Sequence, residues 1–594
     1  MVIGRSGRST TYPSFRSISS RGHVIKLLAA GAAFTGLLLA GTADVASAQN
    51  APIVHEATFG TDLDTGPAAA PTAARFGGHV AWLDADANED CATQPSDQAV
   101  PDGEPIVVSM SPAPPFTVGE IPASVWRTPI VADPAWRLHF EAFMYLPPLA
   151  VRAVEDGSLG SLATMVDQVI AFHVQNPDPA VAKYGWDEGT AQRRLAVENC
   201  LYDLSHDVRL VPGMTADVDV QLGYRYYGPP MHPVHNHGVM ANERLIRTGE
   251  ILDRPEWVTV ARDRFQREAP LAFSAKGTSW EQSSSYHQFN VALWTSVADE
   301  LDRDPQYAST VAALRTTTAK ATAVEGWLTE PDGDLVQIGD SDRSAGDVEA
   351  VRGGSFRDDE AGYAIGRWSA TNRRTTYYTI RYGPSRRAHG HQDRGGVTWS
   401  TLGTRVLAGP GRYVYGTSAK AKWRTTAVAH NVAIPMSGTY RESGRATIAA
   451  ATIQSGGHAY RLVENLYGVA HTRTLNVADS THRLVVRDAY AGGVAFRQYW
   501  HLAPAWRLVS APANATVLVF QTRFGQRLTI TTTGRLSGLV RGANRPIAGW
   551  SFPAYGKEDP AYQISLRSAG PSVTTTFTVS DSSSWALTHP RAIA

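Results

Sequence analysis

Cysteine is scarce in this sequence, with two residues among 594. Cys91 and Cys200 lie far apart, so the chain lacks the Cys-x-x-Cys spacing of a catalytic cysteine pair. In an exported protein the two residues can form one disulfide. The sequence alone does not show that they meet in space.

An excess of charge of either sign is also missing. The 55 Lys and Arg residues balance the 55 Asp and Glu residues, which argues against a general nucleic-acid-binding protein and makes any basic surface local. Hydrophobic residues make up 43% and charged residues 19% of the chain, as in globular proteins. A chain of this length, without a convincing internal repeat, is expected to form two or three domains.

No apolar run is long enough for a comfortable membrane span. Five basic residues precede a short apolar run over residues 27–40, and Ala46, Ser47 and Ala48 provide the small residues that a signal peptidase cuts. We therefore predict a signal peptide over residues 1–48, ordinary unfolded export without a twin-arginine motif, and a secreted or periplasmic protein beginning near Gln49. An uncleaved anchor helix is the alternative.

The hydrophobic pattern divides the rest of the chain into three parts. Residues 49–125 are rich in Ala, Pro, Asp and Gly, which predicts an irregular N-terminal leader wrapped over a domain. Residues 126–345 repeat apolar residues at helical spacing and predict an all-α domain such as a helical toroid. Residues 346–594 switch to a period of two with frequent turn residues, which predicts an antiparallel β-sandwich. The predicted fold class is therefore α+β and multidomain.

A histidine pair follows a β-like run at residues 377–382. His389 and His391 would point to the same face of a strand, because strand side chains alternate. The glycines at 395 and 396 allow a backbone or a ligand to come close. Neighbouring cations indicate an anionic ligand, and they are Arg386, Arg387 and Arg394. The alternative is a pair of surface histidines on a basic loop.

Three further stretches carry polar residues suited to chemistry. One runs from His235 to Gly238 and one from Glu281 to His287, each just before a predicted helix. The third contains Tyr413 and Tyr415, followed by Ala-His-Asn at residues 429–431. Each has a structural explanation, since Asn236 and the serines can cap helices and the tyrosines can lie half-buried in a sandwich.

Taken together and in order, these motifs resemble the heparinase II/III-like polysaccharide lyases, a group related to alginate and oligo-alginate lyases. The order is Asn-His, Glu-x-x-x-x-Tyr-His, Gly-Asp-Ser-Asp, His-x-His-x-Asp and Ala-His-Asn. The resemblance runs from about residue 126 to the end and is densest over residues 235–431. It implies an incomplete (α/α) toroid followed by an antiparallel β domain, with the substrate cleft between them.

The resemblance also implies a reaction. Such lyases cut a uronic acid-containing chain by β-elimination, in which the proton α to the uronate carboxylate is removed and the glycosidic oxygen at C4 leaves. Donors must bind the carboxylate and stabilise the charge of the developing enolate. Asn236 and His237 resemble the family's carboxylate-binding pair, and His389 completes that site.

Tyr286 matches the family's catalytic tyrosine, which protonates the leaving oxygen and in some members also acts as the base. Tyr415 is the best match to a second family tyrosine, with Tyr413 close behind. His389 is the alternative base for one C5 configuration, with Tyr286 as the acid. Further residues are expected to bind substrate, namely Glu281, Arg387, Arg394 and His287.

A structural metal is the one family feature that this sequence puts in doubt. His391 and His430 match two histidine ligands of relatives, but Gly409 stands where an aspartate ligand is expected. Two neutral ligands make a weak zinc site, and Asp393 has an ordinary turn or supporting role as an alternative. We expect no required cofactor and no tightly bound metal, and the alternative is a structural zinc or calcium ion held by His391 and His430.

Two other functions compete with the lyase. A glycoside hydrolase on a helical toroid would need two carboxylates flanking the scissile bond, and Glu281 with Asp340 or Asp342 are the candidates. A non-catalytic polysaccharide-binding protein could keep the aromatics and arginines without Tyr286 and His389. The expected partner is an acidic polysaccharide, with no nucleic acid and no membrane after signal cleavage. Heparan sulfate, alginate, hyaluronan-like chains and bacterial exopolysaccharides are all left open, as is exo or endo attack.

Overall fold

The computed structural model of the chain describes residues 91, 95–110, 113–128, 130–131, 133–223, 234–348, 353–385 and 388–581. The predicted signal peptide and most of the predicted leader lie outside these residues. So do Arg386 and Arg387, two of the three arginines of the histidine motif.

A helical region occupies the first half of the described chain. Its helices are α1 (Pro134–Glu141), α2 (Leu146–Asp156), α3 (Leu159–Gln175), α4 (Glu188–Ser205), α5 (Val211–Leu222), α6 (Asn236–Ile251), α7 (Pro255–Glu268), α8 (Ser284–Leu301) and α9 (Ala308–Leu328). All nine of these helices contribute buried side chains to a single apolar core. The series of helices predicted from the spacing of apolar residues is confirmed.

The segment before α1 adds to this core and is not only a surface wrap. It contains two short paired strands, β1 (Val107–Val108) and β2 (Phe116–Thr117). Ile106 and Val118 are buried in the helical core. Cys91 and Cys200 form a disulfide that ties this segment to α4. A crosslink between residues so far apart in sequence removes conformational entropy from the unfolded chain.

The second half is built of antiparallel strands. A five-stranded sheet contains β3 (Gly354–Asp358), β4 (Tyr363–Arg367), β5 (Tyr377–Arg381), β6 (Val397–Thr401) and β7 (Thr404–Leu407), paired in that order. A short helix, α10 (Ala419–Arg424), follows β7.

Two further sheets, one of eight strands and one of four, complete this half. Their strands are β8 (Ala433–Pro435), β9 (Ala446–Gln454), β10 (Gly457–Glu464), β11 (His471–Ala478), β12 (Arg483–Tyr490), β13 (Phe496–His501), β14 (Arg507–Ser510), β15 (Val517–Gln521), β16 (Gln526–Thr532), β17 (Arg535–Arg541), β22 (Tyr562–Arg567) and β23 (Ser572–Asp581). Short two-residue pairings are made by β18 (Ala543–Asn544), β19 (Ile547–Ala548), β20 (Trp550–Ser551) and β21 (Asp559–Pro560). The eight-stranded sheet has the order β14-β15-β16-β23-β12-β11-β10-β9, and the four-stranded sheet has the order β17-β22-β13-β8.

The eight-stranded sheet packs face to face on the other two sheets. Trp500 of the four-stranded sheet meets Phe577 of β23 edge-on, with ring centroids 4.9 Å apart. Tyr378 of the five-stranded sheet reaches Tyr460 of β10, with 2.7 Å between the hydroxyl oxygens. A layer of buried aromatic and branched side chains lies between the sheets, as in a β-sandwich.

The five-stranded sheet is covered on both faces. Its other face packs on α9, where Val324 and Leu328 meet Tyr363, Ile365 and Tyr377 in a separate apolar cluster. Double coverage explains why β4, β5 and β6 are buried throughout rather than alternately. The sheet therefore joins the helical half to the sandwich and fixes the loops at its edge against the helices. Among the described residues, no helix has the length and apolarity needed to cross a membrane.

Candidate active site

The candidate site lies where two helix N-termini meet two loops of the β half. The helices are α6 and α8. The loops are residues 339–342, which precede β3, and residues 388–396, which connect β5 to β6. His391 and His389 therefore lie on a loop and not on a strand.

The N-terminus of α6 is organised by a histidine cap and a buried glutamate. Nδ1 of His235 accepts the backbone N–H of His237 at 3.2 Å, so His235 is the N-cap and Asn236 is the first helical residue. Glu281 accepts two bonds from Asn236, at 3.0 Å from the backbone N–H and at 2.6 Å from Nδ2. These bonds fix the Asn236 amide, whose orientation would otherwise be free to rotate.

Glu188 performs the same task for His237. Its Oε1 lies 2.8 Å from Nδ1 of His237, and the histidine side chain stays partly exposed at 28%. Gly189 lies against this ring, since a Cβ there would come 3.3 Å from the His237 Cε1 atom. Glu188 could not be identified as a site residue from the sequence, because a single acidic residue at the start of a helix is common.

Tyr286, His389 and Tyr415 form one cluster. The Tyr286 ring lies flat on the His389 ring, with centroids 3.3 Å apart and planes 6° apart. The Tyr286 hydroxyl lies 3.1 Å from that of Tyr415, which in turn lies 3.4 Å from Nδ1 of His389. Ser283 caps α8 by accepting the Tyr286 backbone N–H, and so places this tyrosine in the first turn. Glu281 completes the group, with Oε2 3.6 Å from Nε2 of His389.

Burial sets the protonation states of this cluster. It lowers the pKa of His389 to about 4, with Glu281 opposing that shift and Arg412 adding to it. The ring is therefore neutral at pH 7. Burial also raises the pKa of Tyr286, although Arg412 works in the opposite direction, and it raises the pKa of Tyr415 further. Both phenols stay protonated at neutral pH.

The Gly-Asp-Ser-Asp segment locks the two halves together at the site. Ser341 Oγ accepts the backbone N–H groups of Ser284 and Ser285 at 2.8 and 3.2 Å, which anchors the segment on the first turn of α8. The backbone N–H of Asp340 donates to the carbonyl oxygen of His389 at 2.9 Å. Gly339 has φ +59°, and a Cβ there would overlap the carbonyl oxygens of two neighbouring chain segments.

Two aspartates of this segment each bind an arginine of the β half. Asp342 accepts both Nε and Nη2 of Arg412, and Arg412 also hydrogen-bonds Tyr286. Asp340 binds Arg424 and His391. The sequence did not single out these arginines, although Arg412 lies three residues before Tyr415 and Arg424 six residues before His430.

The loop that carries His389 is held from behind by a buried charge network. Nη1 of Arg473 donates to the carbonyl oxygens of Gly395 and Asn431 at 2.5 and 2.7 Å. Its Nε binds Asp488 at 2.7 Å, and His471 lies between Asp488 and Glu464. Gly395 has φ +82°, and a Cβ there would overlap the Glu464 carboxylate.

Two of the predicted substrate ligands are buried and bound to other parts of the chain. Arg394 is buried, and its guanidinium donates to the Tyr440 hydroxyl and to carbonyl oxygens of residues 441–444. His287 is buried between Ser279 N–H, at 3.2 Å, and the Ala321 carbonyl, at 2.9 Å. These contacts give Arg394 and His287 structural roles and do not support either residue as a substrate ligand. Arg387 lies outside the described residues.

The expected metal ligands do not fit a metal site. Nε2 of His391 lies 2.7 Å from Asp340 Oδ1 and 2.9 Å from Nη1 of Arg424, a guanidinium that would repel a metal cation. Gly409 has no room for a side chain, because a Cβ there would overlap the Gln337 carbonyl oxygen.

A different trio lies within metal-binding distance in the cleft. His235, Glu281 and His389 each offer a ligand atom within 4.8 Å of the others. Both carboxylate oxygens of Glu281 already accept hydrogen bonds from Asn236. The arrangement is explained by these bonds and by the His235 cap without a metal.

The β half matches a known family. Residues 351–580 match the family model described as heparinase II/III-like, C-terminal. No curated protein matches this sequence significantly.

Solved structures share the fold across both halves. A heparinase III structure matches with a TM-score of 0.65 at 13% identity, covering 77% of this chain and 80% of that one. A second heparinase III matches with a TM-score of 0.57 at 14% identity, covering 77% and 81%. A mutant heparan sulfate lyase HepC from Pedobacter heparinus matches with a TM-score of 0.55 at 15% identity, covering 80% and 81%. The chain therefore has the helical region and antiparallel sheets of these proteins.

Proposed function

We propose that this chain, whose residues 351–580 form a heparinase II/III-like C-terminal domain, is a polysaccharide lyase that cleaves a uronic acid-containing chain by β-elimination. The observation that carries the proposal is the cluster of Tyr286 stacked on neutral His389, with Tyr415 bonded to Tyr286. The cluster supports the proposal because it would put the proposed acid and the proposed base side by side. Solved relatives of the same fold carry the names heparinase III and heparan sulfate lyase.

The carboxylate of the uronate is assigned to Asn236 and His237. Both residues lie in the first turn of α6, where the positive end of the helix dipole favours an anion. Glu281 and Glu188 fix the two side chains. A fixed donor set lowers the energy of the enolate that forms when the α proton leaves.

The protonation states support His389 as the base and Tyr286 as the acid. Neutral His389 accepts the C5 proton on Nε2, and the electron pair of that bond forms the C4–C5 double bond. The C4–O bond breaks as Tyr286, which is still a phenol, donates its proton to the leaving oxygen. The protons balance, because His389 gains one from the substrate and Tyr286 gives one to the leaving oxygen.

Tyr415 supports a return path for the proton. Its hydroxyl lies 3.1 Å from the Tyr286 hydroxyl and 3.4 Å from His389 Nδ1. After the reaction, Tyr415 can pass its hydroxyl proton to the Tyr286 phenolate and regain one from solvent, while the His389 imidazolium gives its Nε2 proton to solvent and keeps the proton on Nδ1. Such contacts are commonly long before substrate binds.

The glycoside hydrolase alternative is less well supported by the same contacts. Its candidate carboxylates are Glu281, Asp340 and Asp342. Each is buried and bound, by Asn236, Arg424 and Arg412 respectively. A general acid and a base for glycoside hydrolysis must instead reach the scissile bond.

Export is part of the proposal. A disulfide between Cys91 and Cys200 is suited to an oxidising compartment, and the N-terminal sequence has the pattern of a signal peptide. N-terminal sequencing of protein recovered from culture medium or periplasm should give a start near Gln49. A start at Met1 would contradict cleavage.

A panel of uronic acid polysaccharides tests the activity. Heparan sulfate, alginate, hyaluronan and a bacterial exopolysaccharide would each be incubated with the wild-type protein. The readout is the ultraviolet absorbance of the unsaturated uronate product, which hydrolysis does not form. New reducing ends without this absorbance would favour the hydrolase, and binding without either product would favour a non-catalytic protein.

A further inference from the structure

Arg424 is a buried cation that the reaction drawn above does not use. Its side chain is 4% exposed and extends from the end of α10 to Oδ1 of Asp340, which is itself buried. The same Nη1 lies 2.9 Å from His391 Nε2. The guanidinium carbon is 5.6 Å from the centre of the Tyr415 ring. Arg424 therefore adjoins the catalytic cluster without belonging to it.

Asp340 connects this cation to the proposed base. Its Oδ1 contacts Arg424 and His391, and its Oδ2 lies 3.4 Å from Nδ1 of His389. The Asp340 backbone N–H also donates to the His389 carbonyl oxygen. Asp340 therefore contacts the same histidine twice, through its carboxylate and through its backbone N–H.

A carboxylate as buried as Asp340 is stable as an anion only beside a cation. Arg424 supplies that charge, because burial lowers its pKa only to about 10 and leaves it protonated at neutral pH. An ionised carboxylate accepts a hydrogen bond and cannot donate one. Glu281 Oε2 faces the other ring nitrogen of His389, Nε2, at 3.6 Å, beyond hydrogen-bond distance, and already accepts Asn236 Nδ2 at 2.6 Å. Arg412, the cation that acts on the ring, disfavours its protonation. With Asp340 ionised at 3.4 Å, the favoured His389 tautomer carries its proton on Nδ1, which Tyr415 Oη can also accept, and has a lone pair on Nε2.

We propose that Arg424 is a positioning residue for His389: it keeps Asp340 ionised, and Asp340 holds the tautomer whose Nε2 accepts the substrate proton. The proposal rests on the function proposed above. It also gives His391 a role, since this ring packs against the Asp340–Arg424 pair and limits its movement. The cation beside His391 is then a guanidinium fixed in the chain rather than a metal ion.

The test compares two substitutions with a matched control. R424Q removes the charge, and R424K retains it with a different shape. R405Q is the control, because Arg405 forms a buried ion pair with Glu330 at 2.7 Å that has no contact with His389. R424Q should lower kcat by roughly 10–100-fold, the usual effect of removing a residue that orients a catalytic group. R424K should recover part of that loss.

The pH dependence of kcat/KM separates positioning from a purely structural role. In R424Q the acidic limb of this pH profile should move, because Asp340, the partner of His389 Nδ1, is no longer held as an anion. In R405Q the melting temperature should fall while the acidic limb of the pH profile stays in place. Added guanidinium ion should partly restore an R424A variant and leave R405Q unchanged. An R424Q enzyme with the wild-type limb and wild-type kcat would overturn the proposal.

A second readout does not depend on turnover. Long-range ¹H–¹⁵N spectra of the histidine rings, assigned with H389A, should show the Nδ1–H tautomer in the wild type and its loss in R424Q. The same tautomer in both proteins would overturn the role of Arg424, whatever the substrate. If R424Q does not fold, D340N tests the same link, and a D340N enzyme with wild-type kcat would also overturn it. A wild-type protein that forms no unsaturated product contradicts only the proposed function.

Discussion

The rings of Tyr286 and His389 are nearly parallel, with 3.3 Å between their centroids. They come from residues 103 positions apart in sequence, one in the first turn of α8 and one in the loop between β5 and β6. Stacking fixes the direction of the Tyr286 hydroxyl, which reaches Tyr415 and Arg412. The acid and the base of the proposed reaction are therefore positioned by each other.

Tyr286→Phe removes one hydroxyl and keeps the stacked ring, so the fold and polysaccharide binding should survive. If Tyr286 transfers the proton, kcat should fall by roughly 10²–10⁴-fold, the usual contribution of general acid–base catalysis. The measurement is the initial rate of double-bond formation. Tyr413→Phe is the control, since this tyrosine packs on Phe552 at 4.5 Å and is bonded to Glu558. Near-wild-type turnover of Tyr286→Phe would contradict the mechanism.

His389→Ala should reduce kcat by a similar factor, because it removes the proposed base and the platform under Tyr286. The Tyr286→Phe, His389→Ala double variant should lose less than the product of the single effects, since residues that act as a unit are non-additive. Rates of all four proteins under one set of conditions give the coupling. Independent, multiplicative losses would show that the two residues do not share a step.

Glu281→Gln should impair substrate binding through Asn236. The glutamine amide offers one acceptor where two N–H donors now bind, so one bond is lost or a donor faces a donor. We expect kcat/KM to fall by about 10²-fold, the effect of misplacing a bound substrate by about 1 Å. Glu330→Gln is the control, because it neutralises a buried carboxylate outside the cleft. Equal losses of activity in both variants would indicate a general effect on stability.

Gly409→Asp should not create a tight metal site. The new Cβ would overlap the Gln337 carbonyl oxygen, and such overpacking typically costs about 1–3 kcal/mol. The variant should melt at a lower temperature, and elemental analysis should find no stoichiometric zinc in it. For the wild type, a chelator should leave the melting temperature unchanged. Stoichiometric zinc in either protein would show that other ligands replace the missing aspartate.

Stability should fall at alkaline pH because of His471. Its ring lies 3.0 Å from Glu464 and 2.9 Å from Asp488, and although burial opposes it, these carboxylates raise the pKa of His471 to about 9. A raised pKa means that the stabilisation is complete below the unfolded value near 6.5 and is lost as pH rises through 9. The loss should be on the order of 3 kcal/mol. Melting temperatures from pH 6 to 10 measure it, and His471→Gln should flatten the slope. An unchanged slope in that variant would assign the effect elsewhere.

The sequence identifies the residues that form the Tyr286–His389–Tyr415 cluster more completely than the residues that hold them in position. Tyr286 and His389 belong to short motifs whose order points to one reaction, and the structure brings both together with Asn236, His237 and Tyr415. Their roles in catalysis stay predictions until the variants are measured. The supporting residues Glu188, Arg412 and Arg424 are single charges in ordinary contexts, and only the fold brings them next to the motif residues.

Local sequence patterns give the wrong role for a residue when its contacts are made with distant parts of the chain. A cation beside a histidine pair indicates an anionic ligand, but Arg394 turns towards backbone carbonyls of residues 441–444. Asn236 is a good N-cap residue by type, yet His235 is the cap and Asn236 binds Glu281. In both cases the competing partner is distant in sequence, so no spacing rule can include it.

The apolar cluster between α9 and the five-stranded sheet bears on whether either half can be produced alone. A chain ending near residue 345 would expose Val324 and Leu328, and a chain starting there would expose Tyr363, Ile365 and Tyr377. Uncovered apolar surface of this kind favours aggregation. The change from helices to strands near residue 345 is therefore a border between types of secondary structure. We expect neither half to fold as a soluble protein on its own, and we expect soluble expression to require both halves in one polypeptide.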